Sequence, residues 1–315
     1  MSAIAAPTTP PIDVERPLLV CGVGRSGTSL LQSMLNAHSQ LAFPPETHFF
    51  RRHVLGQGAA VWRASSVDER RARLALDLDL ARAGLDVDAL ARCAAPGQAF
   101  RALLTAVAAA EGKPRVGDKD PRNIDVLPAL AREFPAAVLV HIVRDPRDVL
   151  ASRMKAAWSA HRPWWVHPLI YAEQLRRGCA EGRRSFGERY LEVRYESLLA
   201  APEAELRRVC ERAELPFEPG MLDFAASARR LVAPGEHAWK KETLGPLLSG
   251  NTGKWSASLS PFQVAYCESA SAIAFERFGY ERADGSSALL DAATALLRHT
   301  LRAAYDLRTR RETTR

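Results

Sequence analysis

Short runs of apolar, often β-branched residues alternate with stretches in which apolar positions recur every three or four residues, and this alternation predicts an α/β fold with a parallel sheet. Leu18 to Gly22 reads as a short buried strand and Thr28 to Asn36 as the helix after it, with Leu30, Leu31, Met34 and Leu35 on one face. Val116 to Lys119 is a second strand segment, Ile124 to Phe134 has helical spacing, and Ala137 to Val143 is a continuous apolar run suited to a central parallel strand. Asp145 is placed to cap, and Pro146 to open, a helix continued by Val149, Leu150, Arg153 and Met154. Beyond it the pattern predicts a helix over about 168–185, a strand from Tyr190 to Tyr195, and a helix from Glu203 to Glu211.

Two regions depart from this rhythm. Residues 51–111 are helical and rich in Ala, Leu and Arg, broken at Pro96-Gly97, and read as a helical insertion between the first strands. Residues 233–260, rich in Gly, Pro, Ser and Lys, show no period, and a loop of that length in a compact domain is functional or disordered. Helix returns over 261–278. The expected organisation is a flexible arm over 1–16, one domain over 17–284, and a separate basic amphipathic helix over 285–315, placed to dock on the domain, pair with a second copy or touch an anionic membrane.

Composition narrows the class. The chain has 315 residues, 47% of them hydrophobic, which is ample for one large core. Its five cysteines stand singly, without metal-ligand spacing, so the reading is a reduced, cytoplasmic protein with no structural metal. The net charge of +7 suits an anionic ligand. Arginines interleaved with acids, as in Asp68-Glu69-Arg70-Arg71, predict solvated helix faces and no nucleic-acid partner.

The candidate chemistry begins between the first strand and helix, in Cys21-Gly22-Val23-Gly24-Arg25-Ser26-Gly27-Thr28-Ser29. Glycines let the backbone approach an anion, and the first N–H groups of the following helix, with its dipole, favour negative charge there. Gly22 and Gly27 keep the spacing of a nucleoside-triphosphate loop, but Thr28 stands where that loop has lysine. Arg144, at a strand end, and Ser152, in the next helix, form a second grip suited to a phosphate. Asn251-Thr252-Gly253-Lys254-Trp255 places a cation and an aromatic in the long loop.

With these stand Pro45-Glu46-Thr47-His48-Phe49-Phe50, Asp118-Lys119-Asp120-Pro121, Val143-Arg144-Asp145-Pro146-Arg147-Asp148 and Val193-Arg194-Tyr195-Glu196. In this order the motifs resemble those of the sulfotransferases that use 3'-phosphoadenosine 5'-phosphosulfate, in particular a bacterial group similar to tyrosylprotein and carbohydrate sulfotransferases. The resemblance covers residues 18–280, outside the insertion and the tail. It implies a P-loop-like three-layer sandwich and a metal-free transfer of a sulfuryl group to a hydroxyl of a small molecule, sugar or glycolipid. Gly24, Arg25, Ser26, Gly27, Thr28 and Ser29 would hold the 5'-phosphosulfate; Arg144 and Ser152 the 3'-phosphate; Tyr195 and Trp255 would lie near the adenine; Lys254 would sit in a closing loop.

For catalysis the resemblance implies Glu46 as the base, Lys119 as the cation at the bridging oxygen, and Arg25 as a helper at the sulfonate. His48 stands as an alternative base, a substrate contact or a packed residue; Trp158, Trp164 and Trp165 as an acceptor wall or core; and Arg147 is read as facing solvent. The protein-tyrosine branch has Ser before its Lys-Trp, where this chain has Thr252-Gly253. A nucleotide-type kinase, and a non-catalytic membrane- or partner-binding relative, are the rival readings.

Overall fold

The computed structural model describes residues 11–159, 161–232, 235, 243–248, 250–283 and 288–313. Five parallel strands form one sheet in the order β2-β3-β1-β4-β5: β1 (Asp13–Gly22), β2 (Leu41–Ala42), β3 (Arg115–Lys119), β4 (Val138–Val143) and β5 (Tyr190–Arg194). The central strand β1 pairs with β3 on one side and β4 on the other. Side chains alternate along β1: Leu19 and Cys21 enter a core cluster with the helices of the insertion, while Leu18 and Val20 enter a second cluster on the opposite face. Helices therefore cover both faces, giving three layers.

α1 (Thr28–Asn36) follows β1. The segment after β2 supplies α2 (Gly56–Ala64), α3 (Val67–Ala75), α4 (Leu78–Arg82), α5 (Val87–Arg92) and α6 (Pro96–Ala110). Between β3 and β4 the single helix read from spacing is divided into a 3₁₀ turn at Pro121–Asp125 and α7 (Leu127–Glu133), with Asp120 capping the turn by accepting from Arg122 N–H. α8 (Pro146–Met154) follows β4, capped by Asp145. Then come α9 (Val166–Phe186), β5, α10 (Tyr195–Ala200), α11 (Pro202–Arg212) and α12 (Ala225–Leu231). α13 (Pro261–Ala270) and α14 (Ala272–Phe278) break at Ser271, and α15 (Ala288–Thr313) closes the chain.

Three expectations change. The arm read over 1–16 gives way at Asp13 to β1: Asp13 pairs with Arg115, and Ile12 and Val14 pack on the core. Short alternating strands with polar partners carry little local signal, so Pro10-Pro11 dominated the reading. Arg70 is buried, donating to the carbonyls of Trp62, Ala91 and Cys93, so it ties the insertion together rather than facing solvent. Arg147, also read as solvent-facing, is 5% exposed; it pairs with Asp145 and Glu268 and lies over the Trp255 ring at 4.1 Å. Among the described residues no helix is long and apolar enough to cross a membrane.

Candidate active site

The carboxyl ends of β1, β3, β4 and β5 converge on one cavity of about 390 Å³, on the edge where open α/β sheets bind ligands. The β1–α1 loop forms its floor. Gly27 has φ 96°, and a Cβ there would lie 2.3 Å from Tyr195 Cδ2, so both backbone and space require glycine. No side chain caps α1 at Gly27, which leaves its first N–H groups to an anion. Gly24, Arg25, Gly27, Thr28 and Ser29 line the cavity. Ser26 is fully buried beside them, and its Oγ has no hydrogen-bond partner.

β4 delivers Arg144. Its guanidinium lies 4.3 Å from the Tyr195 ring centroid and donates to the carbonyls of Asn251 (3.0 Å) and Arg25 (3.5 Å), while its buried Nε has no partner. Asn251 Nδ2 donates to the Tyr195 hydroxyl at 2.7 Å. Ser152 Oγ accepts from Arg25 Nε at 3.0 Å, so the two proposed phosphate grips are already linked. Arg25 itself has φ 82°, a left-handed conformation that an arginine adopts only when its surroundings impose it.

Beside this floor, β3 delivers Lys119 and the segment after β2 delivers Glu46. Lys119 is 1% exposed, and its Nζ donates to Glu46 Oε2 at 2.5 Å and to Ser29 Oγ at 3.5 Å. His48, at φ 55°, lies with Nε2 3.6 Å from Glu46 Oε1 and Nδ1 2.9 Å from Asp120 Oδ2, and Arg51 Nε also donates to that Asp120 oxygen at 2.8 Å. Burial alone would push the Asp120 carboxyl up, but hydrogen bonds and charge from His48 and Arg51 outweigh it and hold it below the usual carboxylate range. Burial likewise opposes the His48 cation, and Asp120 outweighs it, so that pKa is raised. Asp118, buried beside them with Asn123 as donor, is pushed up to about 7 by burial and then by the neighbouring Asp120 charge.

The residues read from the sequence thus divide. Gly24, Arg25, Gly27, Thr28, Ser29, Glu46, Arg144 and Tyr195 line one cavity, with Lys119, Ser152 and Ser26 directly behind it. Lys254 and Trp255 are not brought there: Lys254 is exposed in a 3₁₀ turn, and Trp255 packs on the cluster of Leu150, Ala151, Leu259, Val264 and Cys267. Of the three tryptophans, Trp158 reaches the cavity wall, Trp164 packs edge-on to Tyr266, and Trp165 is exposed. Sequence reasoning missed Arg51, Arg122 and Asn251 as individual contributors; only Asn251 carried a local signal, through the loop motif it opens.

Residues 17–219 match the Sulfotransferase family. Carbohydrate sulfotransferase 3 of Homo sapiens is 29% identical over 198 residues, 56% of this chain and 40% of that protein. Protein-tyrosine sulfotransferase 1 of Danio rerio is 27% identical over 218 residues, 66% of this chain and 56% of that one, so the chain spans about half the length of these curated relatives. The sulfotransferase domain from the Synechococcus PCC 7002 olefin synthase superposes with a TM-score of 0.63 at 19% identity, over 88% of this chain and 99% of that domain, which establishes the shared fold. With a match running from β1 to the turn after α11, this chain belongs to the sulfotransferase family.

Proposed function

We propose that this chain moves the sulfuryl group of 3'-phosphoadenosine 5'-phosphosulfate to a hydroxyl of a small molecule, sugar or glycolipid, by in-line displacement. The observation that carries the reading is the Glu46–Lys119 contact, beside the cavity that Glu46, the anion cradle and Arg144 line together. Buried polar atoms without partners, Ser26 Oγ and Arg144 Nε, fit a donor with two separate phosphates, because a native fold rarely leaves such groups unsatisfied without a ligand to complete them. The donor supplies the activated sulfur; the chain supplies position, charge and a proton acceptor.

Each residue then has a task. The α1 N-terminus with Thr28 and Ser29 holds the sulfonate end, and Arg144 with Arg25 and Ser152 the second phosphate. Lys119 stands where a cation can neutralise the oxygen that leaves sulfur, and Glu46 takes the acceptor proton. The ammonium of Lys119 engages the Glu46 carboxylate; drawing Lys119 toward donor charge frees that carboxylate to act as a base. His48, anchored by Asp120, faces the other Glu46 oxygen and orients it. Thr28 supports this over the kinase reading, since the triphosphate-binding lysine is missing from the loop. The free thiols of all five cysteines support action in a reducing cytoplasm.

Calorimetric titration tests the donor site, with 3',5'-adenosine bisphosphate expected to bind and ATP-magnesium not; the reverse order would overturn the reading. The acceptor is then found by the sulfuryl mass increment in a library of hydroxyl compounds.

A further inference from the structure

The C-terminal helix α15 packs Leu290 and Leu301 on the cluster of Leu169, Tyr266 and Ala270, and polar contacts on the same side tie it to the domain. Asp291 accepts from Ser269 Oγ, Arg298 donates to the Ser269 carbonyl at 3.0 Å, and Asp306 pairs with Arg177 on α9. On the opposite side Leu289 is 82% exposed, Leu296 70% and Leu307 62%, with exposed alanines between them. An ordinary surface helix buries one apolar face and turns a polar one to solvent, and a second apolar row left exposed marks an interaction site.

We propose that this stripe is the seam of a symmetric homodimer, in which α15 of one copy packs antiparallel against α15 of a second. The stripe is self-complementary about the level of Arg298. Leu289 and Leu307 stand equally far from that level, as do Ala292 and Ala304, Ala293 and Ala303, and Leu296 and Thr300. Turned about a two-fold axis there, Leu289 meets the partner's Leu307, and the alanines meet the partner's alanines, which lets the two backbones approach closely while leucines close the ends. An isologous interface requires this symmetry and a lipid surface does not. A membrane-binding helix also needs its basic residues beside the apolar face, whereas Arg298 turns inward onto the carbonyls of Ser269 and Ala270 and the exposed Arg302 borders a groove with Glu173 of α9. The helix has 26 residues and is about 39 Å long. Its face is at the small end of stable interfaces, for which a Kd on the order of micromolar is expected.

Sedimentation equilibrium of the full chain tests this. The native protein is expected to be dimeric above about 10 µM, and Leu296→Glu monomeric with the melting temperature of the native chain diluted to monomer, since Leu296 is exposed within one copy. Register is read by mild oxidation: Ala293→Cys mixed with Ala303→Cys should give covalent dimer faster than either variant alone. A native monomer at about 100 µM, a dimer indifferent to Leu296→Glu, or self-linking of Ala293→Cys as fast as the mixture would overturn the proposal. So would a monomeric native chain that binds phosphatidylglycerol vesicles and loses that binding in Leu296→Glu. None of these outcomes depends on the sulfuryl-transfer reading.

Discussion

Replacing Glu46 by Gln separates what the Glu46–Lys119 pair does for the fold from what it does for the reaction. Lys119 is 1% exposed, and its other hydrogen bond, to Ser29 Oγ, is a long 3.5 Å. Removing the carboxylate charge strands an ammonium in the interior, which for buried pairs costs about 3–5 kcal/mol. The Gln carbonyl keeps one acceptor and the side chain at 46 is one-fifth exposed, so the lower end of that range is expected. Lys119→Met should cost less, because Glu46 reaches solvent and faces His48 whereas Lys119 does neither.

The double variant Glu46→Gln/Lys119→Met removes both charges and should recover about 2 kcal/mol relative to the sum of the singles. Turnover should not recover. Loss of a positioned general base costs about 10²–10⁴ in rate, roughly 2.7–5.4 kcal/mol of transition-state stabilisation, and the double variant lacks the proposed base and the proposed cation together. The assay pairs urea unfolding of each variant with release of 3',5'-adenosine bisphosphate in single-turnover mixtures. If the double variant lost as much stability as the two singles summed, the buried-charge reasoning would fail; if Glu46→Gln kept native turnover, the base assignment would.

Gly27→Ala should abolish measurable binding of 3',5'-adenosine bisphosphate by calorimetry, since it combines φ 96° with a 2.3 Å approach to Tyr195; Gly24→Ala, whose nearest neighbour is the Arg153 guanidinium at 3.5 Å, should bind within a few-fold of native. Asp118→Asn should show a stability advantage that grows with pH. The folded carboxyl titrates at about 7 against 3.8 for an unperturbed one, so the native protein holds a proton that the unfolded chain releases. Stability from that group is full below the unfolded pKa and is lost as pH rises through 7, so between pH 5 and 8 the gap should widen by on the order of 2 kcal/mol in urea unfolding; a pH-independent gap would rule this out.

Local pattern reached some of this site and not the rest, for a physical reason in each case. The β1–α1 loop was legible because its demands are local: Gly27 must adopt φ 96°, and the residues after it open a helix. Arg144 was legible because a continuous apolar strand ends there. Arg147 was not, because the residue that makes its burial tolerable, Glu268, lies on α13, and no spacing near Pro146 signals it. Arg51 is the same case, joined to Asp120 across the insertion. Trp255 carried a motif but not its orientation, which depends on what α8 presents to it.

That orientation explains how one short segment serves two layers of the molecule. In Arg144-Asp145-Pro146-Arg147-Asp148 the chain passes from β4 into α8, and the change from strand to helix sends the two arginines apart. Arg144 stays at the sheet end over Tyr195, while Arg147 swings to the far side, between Asp145, Glu268 and the Trp255 ring. Asp148 accepts from Gly253 N–H at 2.9 Å and Trp255 N–H at 3.0 Å. The turn at 253–257 is thus fixed to the first turn of α8 by two backbone bonds and one stacked cation. Asn251, just ahead of that turn, is the residue that accepts from Arg144 and donates to Tyr195. Trp255 therefore bears on the cavity through the turn that follows Asn251 rather than by its own ring, and Trp255→Ala is expected to weaken the Arg144–Asn251–Tyr195 contacts.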